Sequence, residues 1–254
     1  MNPISTKQLD LYQRKDVNES DIETFMPLSV HLNDLRNKII ISLIVLCITI
    51  FIGFSFSREI VKLLTGIAPP GTVFLQIRPG EFFFTSLRTA LFAGIVLAAP
   101  VIVWQLGSFI LPGLTKKEKN IAVPILMAAP FLFFTGMIFA YFFAVPSMLN
   151  FLFGFGKDII STNISIESFV SFTLMIMAIC GCTFLLPIII LALANTGIVN
   201  SQILLKNWRY VLLSSVISGA LLTPTPDPFN MGIVSGILIM LYFISIGILK
   251  IMRL

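Results

Sequence analysis

The sequence predicts an all-α, polytopic membrane protein with six transmembrane helices and both termini on the inner side. Three observations carry this reading. Of the 254 residues, 57% are hydrophobic and only 11% charged, where an ordinary soluble domain has roughly 25% charged. With a mean hydropathy of +0.98, the chain cannot cover its surface with polar groups, so lipid is its solvent. The apolar residues fall into runs at 39–56, 82–110, 121–145, 168–194, 210–222 and 229–248. About 20 helical residues at 1.5 Å each cross the hydrocarbon core of a bilayer. Basic residues are divided unevenly between the two sides. Arg36, Lys38, Lys116, Lys117, Lys119, Lys206, Arg209, Lys250 and Arg253 flank the runs on the side of the termini, and Arg58, Lys62, Arg78, Arg88 and Lys157 lie on the other. The positive-inside rule puts the first group in the cytoplasm or stroma.

Residues 1–28 show no apolar periodicity and hold Asp10, Asp16, Glu19, Asp21 and Glu23. They read as a mobile polar tail ahead of a membrane domain over 29–254, with no cleavable signal sequence. A helix starts at 29–38. Ser29 is its expected N-cap, Val30, Leu32 and Leu35 form an apolar stripe, and Asp34 and Lys38 stand at i,i+4. This amphipathic turn runs into the first span. Residues 57–81 read as a long outer loop, with an extended piece at 72–76.

The second run exceeds one bilayer thickness, so it must tilt or bend, and Pro100 can kink it. Arg88 lies near its outer end. It either snorkels to the interface or marks an ion pathway, although no acidic residue inside a span offers itself as partner. The third run holds Pro124 and Pro130 and is expected to end at Pro146. A loop follows at 147–167. The fourth run carries Pro187, and a loop at 195–209 leads to Trp208 and Tyr210, which suit an interfacial belt. The fifth run has 13 residues before Thr223-Pro224-Thr225-Pro226-Asp227-Pro228, too few for an unaided crossing.

The net charge of +5 sits in short loops, where it fixes topology rather than binding nucleic acid. Cys47, Cys180 and Cys182 all lie in apolar runs, which gives neither a disulfide framework nor a metal site. His31 is the one histidine, so no zinc cluster and no Ser-His-Asp triad is available. No Gly-rich phosphate loop occurs. The chemistry concentrates instead at the basic hairpin 111–120, where Glu118 is the one acidic residue between Glu81 and Asp158. Glu118 shares the inner side with Asp34. Each has a plain role, Asp34 pairing with Lys38 and Glu118 with neighbouring lysines. Two carboxylates at a low-dielectric boundary can also each accept a bidentate guanidinium.

Several short motifs resemble the TatC family, the receptor subunits of the twin-arginine protein translocase. They are His31-Leu32-Asn33-Asp34-Leu35-Arg36, Phe109-Ile110-Leu111-Pro112-Gly113-Leu114 with Glu118, Phe139-Ala140-Tyr141-Phe142, and Leu222-Thr223-Pro224 through Asp227-Pro228. Phe74-Leu75-Gln76, Pro79-Gly80-Glu81-Phe82-Phe83 and Trp208-Arg209-Tyr210-Val211 look like the cyanobacterial and plastid branch. The resemblance implies a concave, glove-like arrangement of the six helices. It implies binding of twin-arginine signal peptides of folded precursors and assembly with single-span TatA- and TatB-type partners. Transport is then driven by the proton-motive force, without cofactor or enzymatic step, in a thylakoid or bacterial inner membrane.

By resemblance, Asp34 and Glu118 meet the two arginines, and Arg36, Phe109, Leu114 and Lys119 frame them. Pro226 and Asp227 belong to partner assembly. The chain departs from the family at Asp34, where Glu is usual, at Asn33, where a second acid is common, and at Lys119, where Arg is common. Leu185 stands where some members carry a polar or acidic residue. Two other readings compete: a small-solute transporter, which needs a polar midplane site, and an assembly subunit with no ligand of its own.

Overall fold

The computed structural model describes residues 28–111, 116–155, 163–195, 197, 199–223 and 227–252. The tail expected over 1–28 lies, apart from Leu28, outside them. The described chain is almost wholly helical, and five of its helices are long and apolar enough to span a membrane.

Helix α1 (Leu28–Ser55) includes Ser29 within its helical backbone, where the sequence placed the residue as the N-cap. Helix α2 (Ser57–Thr65) follows at once, where a loop was expected. Its Val61 and Leu64 are buried while Arg58, Glu59 and Lys62 remain outside; that one-sided pattern lets a nine-residue segment fold against its neighbours. The extended piece is strand β1 (Val73–Leu75), which pairs in parallel with β2 (Asn163–Ser165), Phe74 opposite Ile164. Helix α3 (Glu81–Ile110) carries Pro100 within it, and α4 (Lys116–Phe139) carries Pro124 and Pro130.

The third run does not stop at Pro146. A π-helical turn (Ala140–Ala144) leads into α5 (Val145–Gly154). Pro146 falls in the first turn of α5, directly after the π-helical turn, where its fixed φ is already helical. The expected 147–167 loop is therefore helical to Gly154. Helix α6 (Ile166–Thr183) is separated from α7 (Leu186–Asn195) by a break at Phe184 and Leu185. Leu185 N–H turns to the carbonyl of Cys182, three residues back. Pro187 has no N–H to continue an α-helical ladder through this point. A short helix α8 (Ser201–Lys206) occupies part of the 195–209 connection, then α9 (Trp208–Leu222) and α10 (Pro228–Met252) complete the chain.

Helix α1 packs on α3, α3 on α4 and α6, α4 on α6, α7 on α10, and α10 on α9. Among the best-buried side chains, Leu64, Val145, Met148, Leu149, Phe169 and Val170 come from α2, α5 and α6. They gather where α1 ends and α3 begins, here called the far side. Phe74 sets its ring edge-on to Phe169 at 5.0 Å, and the Tyr141 hydroxyl donates to the Leu63 carbonyl at 3.2 Å. This cluster anchors the far side, while α1 buries few of its residues along its length.

Candidate functional site

At the near side, the first turns of α1 put Asp34 and Lys38 on one face, as i,i+4 spacing requires. The Lys38 ammonium lies 2.7 Å from the Asp34 carboxylate. It also stands 5.9 Å from the centre of the Phe109 ring in the last turn of α3, within reach of a cation–π attraction. The side chain of Lys38 is 17% exposed and that of Asp34 42%. Lys38 thus lays its stem between the two helices and keeps its charge at the rim. Beneath it, Leu35, Ile39, Leu46, Ile102, Gln105 and Phe109 line an apolar cleft of about 210 Å³. A carboxylate at the mouth of an apolar cleft can hold a cationic head whose apolar neighbours are buried below.

Of the residues singled out in the sequence, the structure brings Asp34 and Phe109 together, with Lys38 as the link. Arg36 is exposed on the next face of α1, and Lys119 is exposed in the first turn of α4. Glu118 belongs to the same turn by its backbone. Its side chain, and Leu114 and Pro226 altogether, lie outside the described residues. Asp227 is elsewhere, in the α9–α10 turn. Its carboxylate accepts from the Asn230 backbone N–H at 2.8 Å and from the Asn230 amide at 2.9 Å. With Pro228 as the first helical residue, this is a helix N-cap.

A second polar group was not legible in the sequence. Arg88 does have an acidic partner: its guanidinium lies 3.5 Å from Glu167 in the first turn of α6, and it also donates to the Ser171 hydroxyl. Glu81, 3% exposed, accepts from the N–H groups of Ile77 (2.7 Å), Arg78 (3.0 Å) and Glu167 (3.3 Å) and from the Ser165 hydroxyl. It ties the turn before α3 to the start of α6. The available signal was an acid opening each of two spans, with an arginine two turns into the first.

The family model for the Sec-independent protein translocase protein (TatC) matches residues 30–236. The chain belongs to the TatC family. It is 38% identical over 233 residues to a Sec-independent protein translocase protein TatC of Synechocystis sp., covering 91% of this chain and 90% of that one. It is 36% identical to the chloroplastic TATC of Pisum sativum, over 91% of this chain and 65% of the relative. Its fold superposes on a crystal structure of the twin arginine translocase receptor TatC with a TM-score of 0.75 at 30% identity, covering 86% of this chain and 99% of that one. This TatC-family chain is therefore a multi-pass membrane component of a protein translocase, engaged in transport rather than catalysis.

Proposed function

We propose that this chain is the receptor core of a twin-arginine translocase, binding the twin-arginine signal peptides of folded precursors at its near side. The observation that carries this is the Asp34 carboxylate at the rim of the α1–α3 cleft, with Phe109 as its wall. Asp34 and Glu118 take one arginine each. Arg36 and Lys119 flank them, and Leu114 and Phe109 meet the apolar part of the peptide. An incoming guanidinium replaces Lys38 on Asp34, exchanging a single-point ammonium contact for a planar two-donor fork. That exchange separates an Arg-Arg signal from a Lys-Lys one.

Six spans with both termini inside and a concave, glove-like wall suit this role. The 15-residue α9 serves as the fifth crossing, and residues 1–28 form a polar tail before the membrane domain 29–254. The α9–α10 turn with Pro226 and Asp227 serves assembly with single-span TatA- and TatB-type partners, and the proton-motive force drives transport. Cyanobacterial and chloroplastic relatives support a plastid thylakoid membrane, with a bacterial inner membrane as the alternative.

The test is photocrosslinking from Leu114 to a twin-arginine precursor in membranes, comparing Arg-Arg with Lys-Lys signals. Crosslinks that require Arg-Arg, and that fall in Asp34→Ala and Glu118→Ala, are expected. Equal crosslinking of both signals by the inserted protein removes the receptor site from this loop and favours an assembly subunit.

A further inference from the structure

The far-side ends of α3 and α6 hold a site that signal recognition at the near side does not use. Arg78, Glu81, Arg88, Glu167, Ser168 and Ser171 line a polar cavity of about 380 Å³. Its depth places it among lipid headgroups. Arg88 follows Glu81 by seven residues, about 10 Å along a helix at 1.5 Å per residue, and the interfacial layer on each side of a bilayer is of similar thickness.

The chemistry of the lining narrows the ligand. Two arginines face two carboxylates, so an ion of either sign meets a like charge beside its partner. Glu81 is already supplied with donors by Ile77, Arg78, Glu167 and Ser165. Arg88 is 53% exposed, and its 3.5 Å pair with Glu167 is loose. A guanidinium has five N–H donors, so several remain open to the cavity. The Glu167 carboxylate has lone pairs to spare. Hydroxyl groups that both accept and donate can bridge Arg88 and Glu167 without parting them.

Below the cavity, Leu91 and Ile95 follow Arg88 at i+3 and i+7, on its face of α3. They are 43% and 51% exposed and give an acyl chain an apolar track leading down from the cavity. We propose that this cavity binds the uncharged glycosyl headgroup of a lipid in the far leaflet.

The test is native mass spectrometry of the full chain, released with a detergent that contains no sugar from nanodiscs holding equal parts of monogalactosyl diacylglycerol, phosphatidylglycerol and phosphatidylcholine. Retention of the galactolipid about ten-fold over both others is expected, the discrimination supplied by one or two hydrogen bonds to charged groups. Arg88→Gln and Ser171→Ala each reduce it, and Lys206→Gln on the near side leaves it unchanged. Should Arg88→Gln fail to insert, Ser168→Ala and Ser171→Ala carry the comparison. Preferential retention of phosphatidylglycerol overturns the proposal in favour of an anion site. Equal retention of all three lipids reduces the cavity to a hydrated notch. Displacement of the galactolipid by free galactose at matched concentration overturns the lipid part, leaving a sugar site only.

Discussion

Individual residues divide between those whose exposure makes them exchangeable and those locked in place. Asp34 and Lys38 form a partly exposed i,i+4 pair, worth about 0.3–0.5 kcal/mol. A ligand guanidinium can displace so weak a contact. Lys38→Met is therefore expected to leave the thermal unfolding temperature nearly unchanged. It should also tighten twin-arginine peptide binding about two-fold, the equivalent of that lost competition. Titration of a labelled peptide against both proteins in detergent checks this, and weaker binding would show that Lys38 helps to hold the ligand. Glu81 is the opposite case. Glu81→Ala strands the donors of Ile77, Arg78, Glu167 and Ser165, and we expect a loss of at least about 2 kcal/mol. A fall of several degrees in unfolding temperature would show it, with the exposed Glu59→Gln as an unaffected control.

Among the helices, close approach decides more than hydropathy. A Cβ added at Gly136 of α4 would lie 2.7 Å from the Cys180 carbonyl of α6, and one at Gly181 would lie 2.7 Å from the Phe133 ring. The two glycines face each other's helix, and this lets α4 and α6 touch backbone to backbone, the usual means of packing helices in lipid. Gly136→Val is expected to destabilise by about 1–3 kcal/mol, because a backbone carbonyl cannot move aside as a side chain can. Gly232→Val, in open space on α10, should cost much less. Unfolding temperatures of the two variants in one detergent make the comparison. The π-helical turn at Ala140–Ala144 belongs to this scale too. It is a single-turn irregularity of the kind that resets a helix face, and it lets one apolar run continue past Pro146.

For the whole molecule, stability is unevenly distributed. The largest buried cluster includes Phe169 and Met148, while α9 packs mainly against α10 and leaves Leu213, Ile217 and Leu221 exposed. Its 15 residues reach about 22 Å at 1.5 Å each, short of a ~30 Å hydrocarbon core. Local thinning to meet it costs a fraction of a kcal/mol per Å. The protein is thus expected to unfold at a lower temperature in nanodiscs of long-chain phosphatidylcholine than in short-chain ones. Hydrogen exchange in α9 should quicken first. Uniform protection across α6, α9 and α10 at every thickness would contradict this.

The sequence by itself determined the membrane class, the run of apolar segments, the strand-forming piece at 73–75 and the family signature. Each of these is written in hydropathy, breakers and short motifs along neighbouring residues. It also placed Asp34 beside Lys38, since helical spacing alone brings i and i+4 together. It gave no hint of the helices α2 and α5. The first is too short to stand out from a loop, and Pro146 looks like a terminus until the preceding turn is known to be π-helical. Only the tertiary structure decided which distant groups meet: Phe109 with Lys38, Phe74 with Phe169, Ser165 with Glu81, and Arg88 with Glu167. These pairings follow from how helices lean on one another, and closing a long loop costs only slightly more than closing a shorter one. Local patterning therefore carries little trace of the choice, and the packed glycine faces of α4 and α6 and the paired strands β1 and β2 make it.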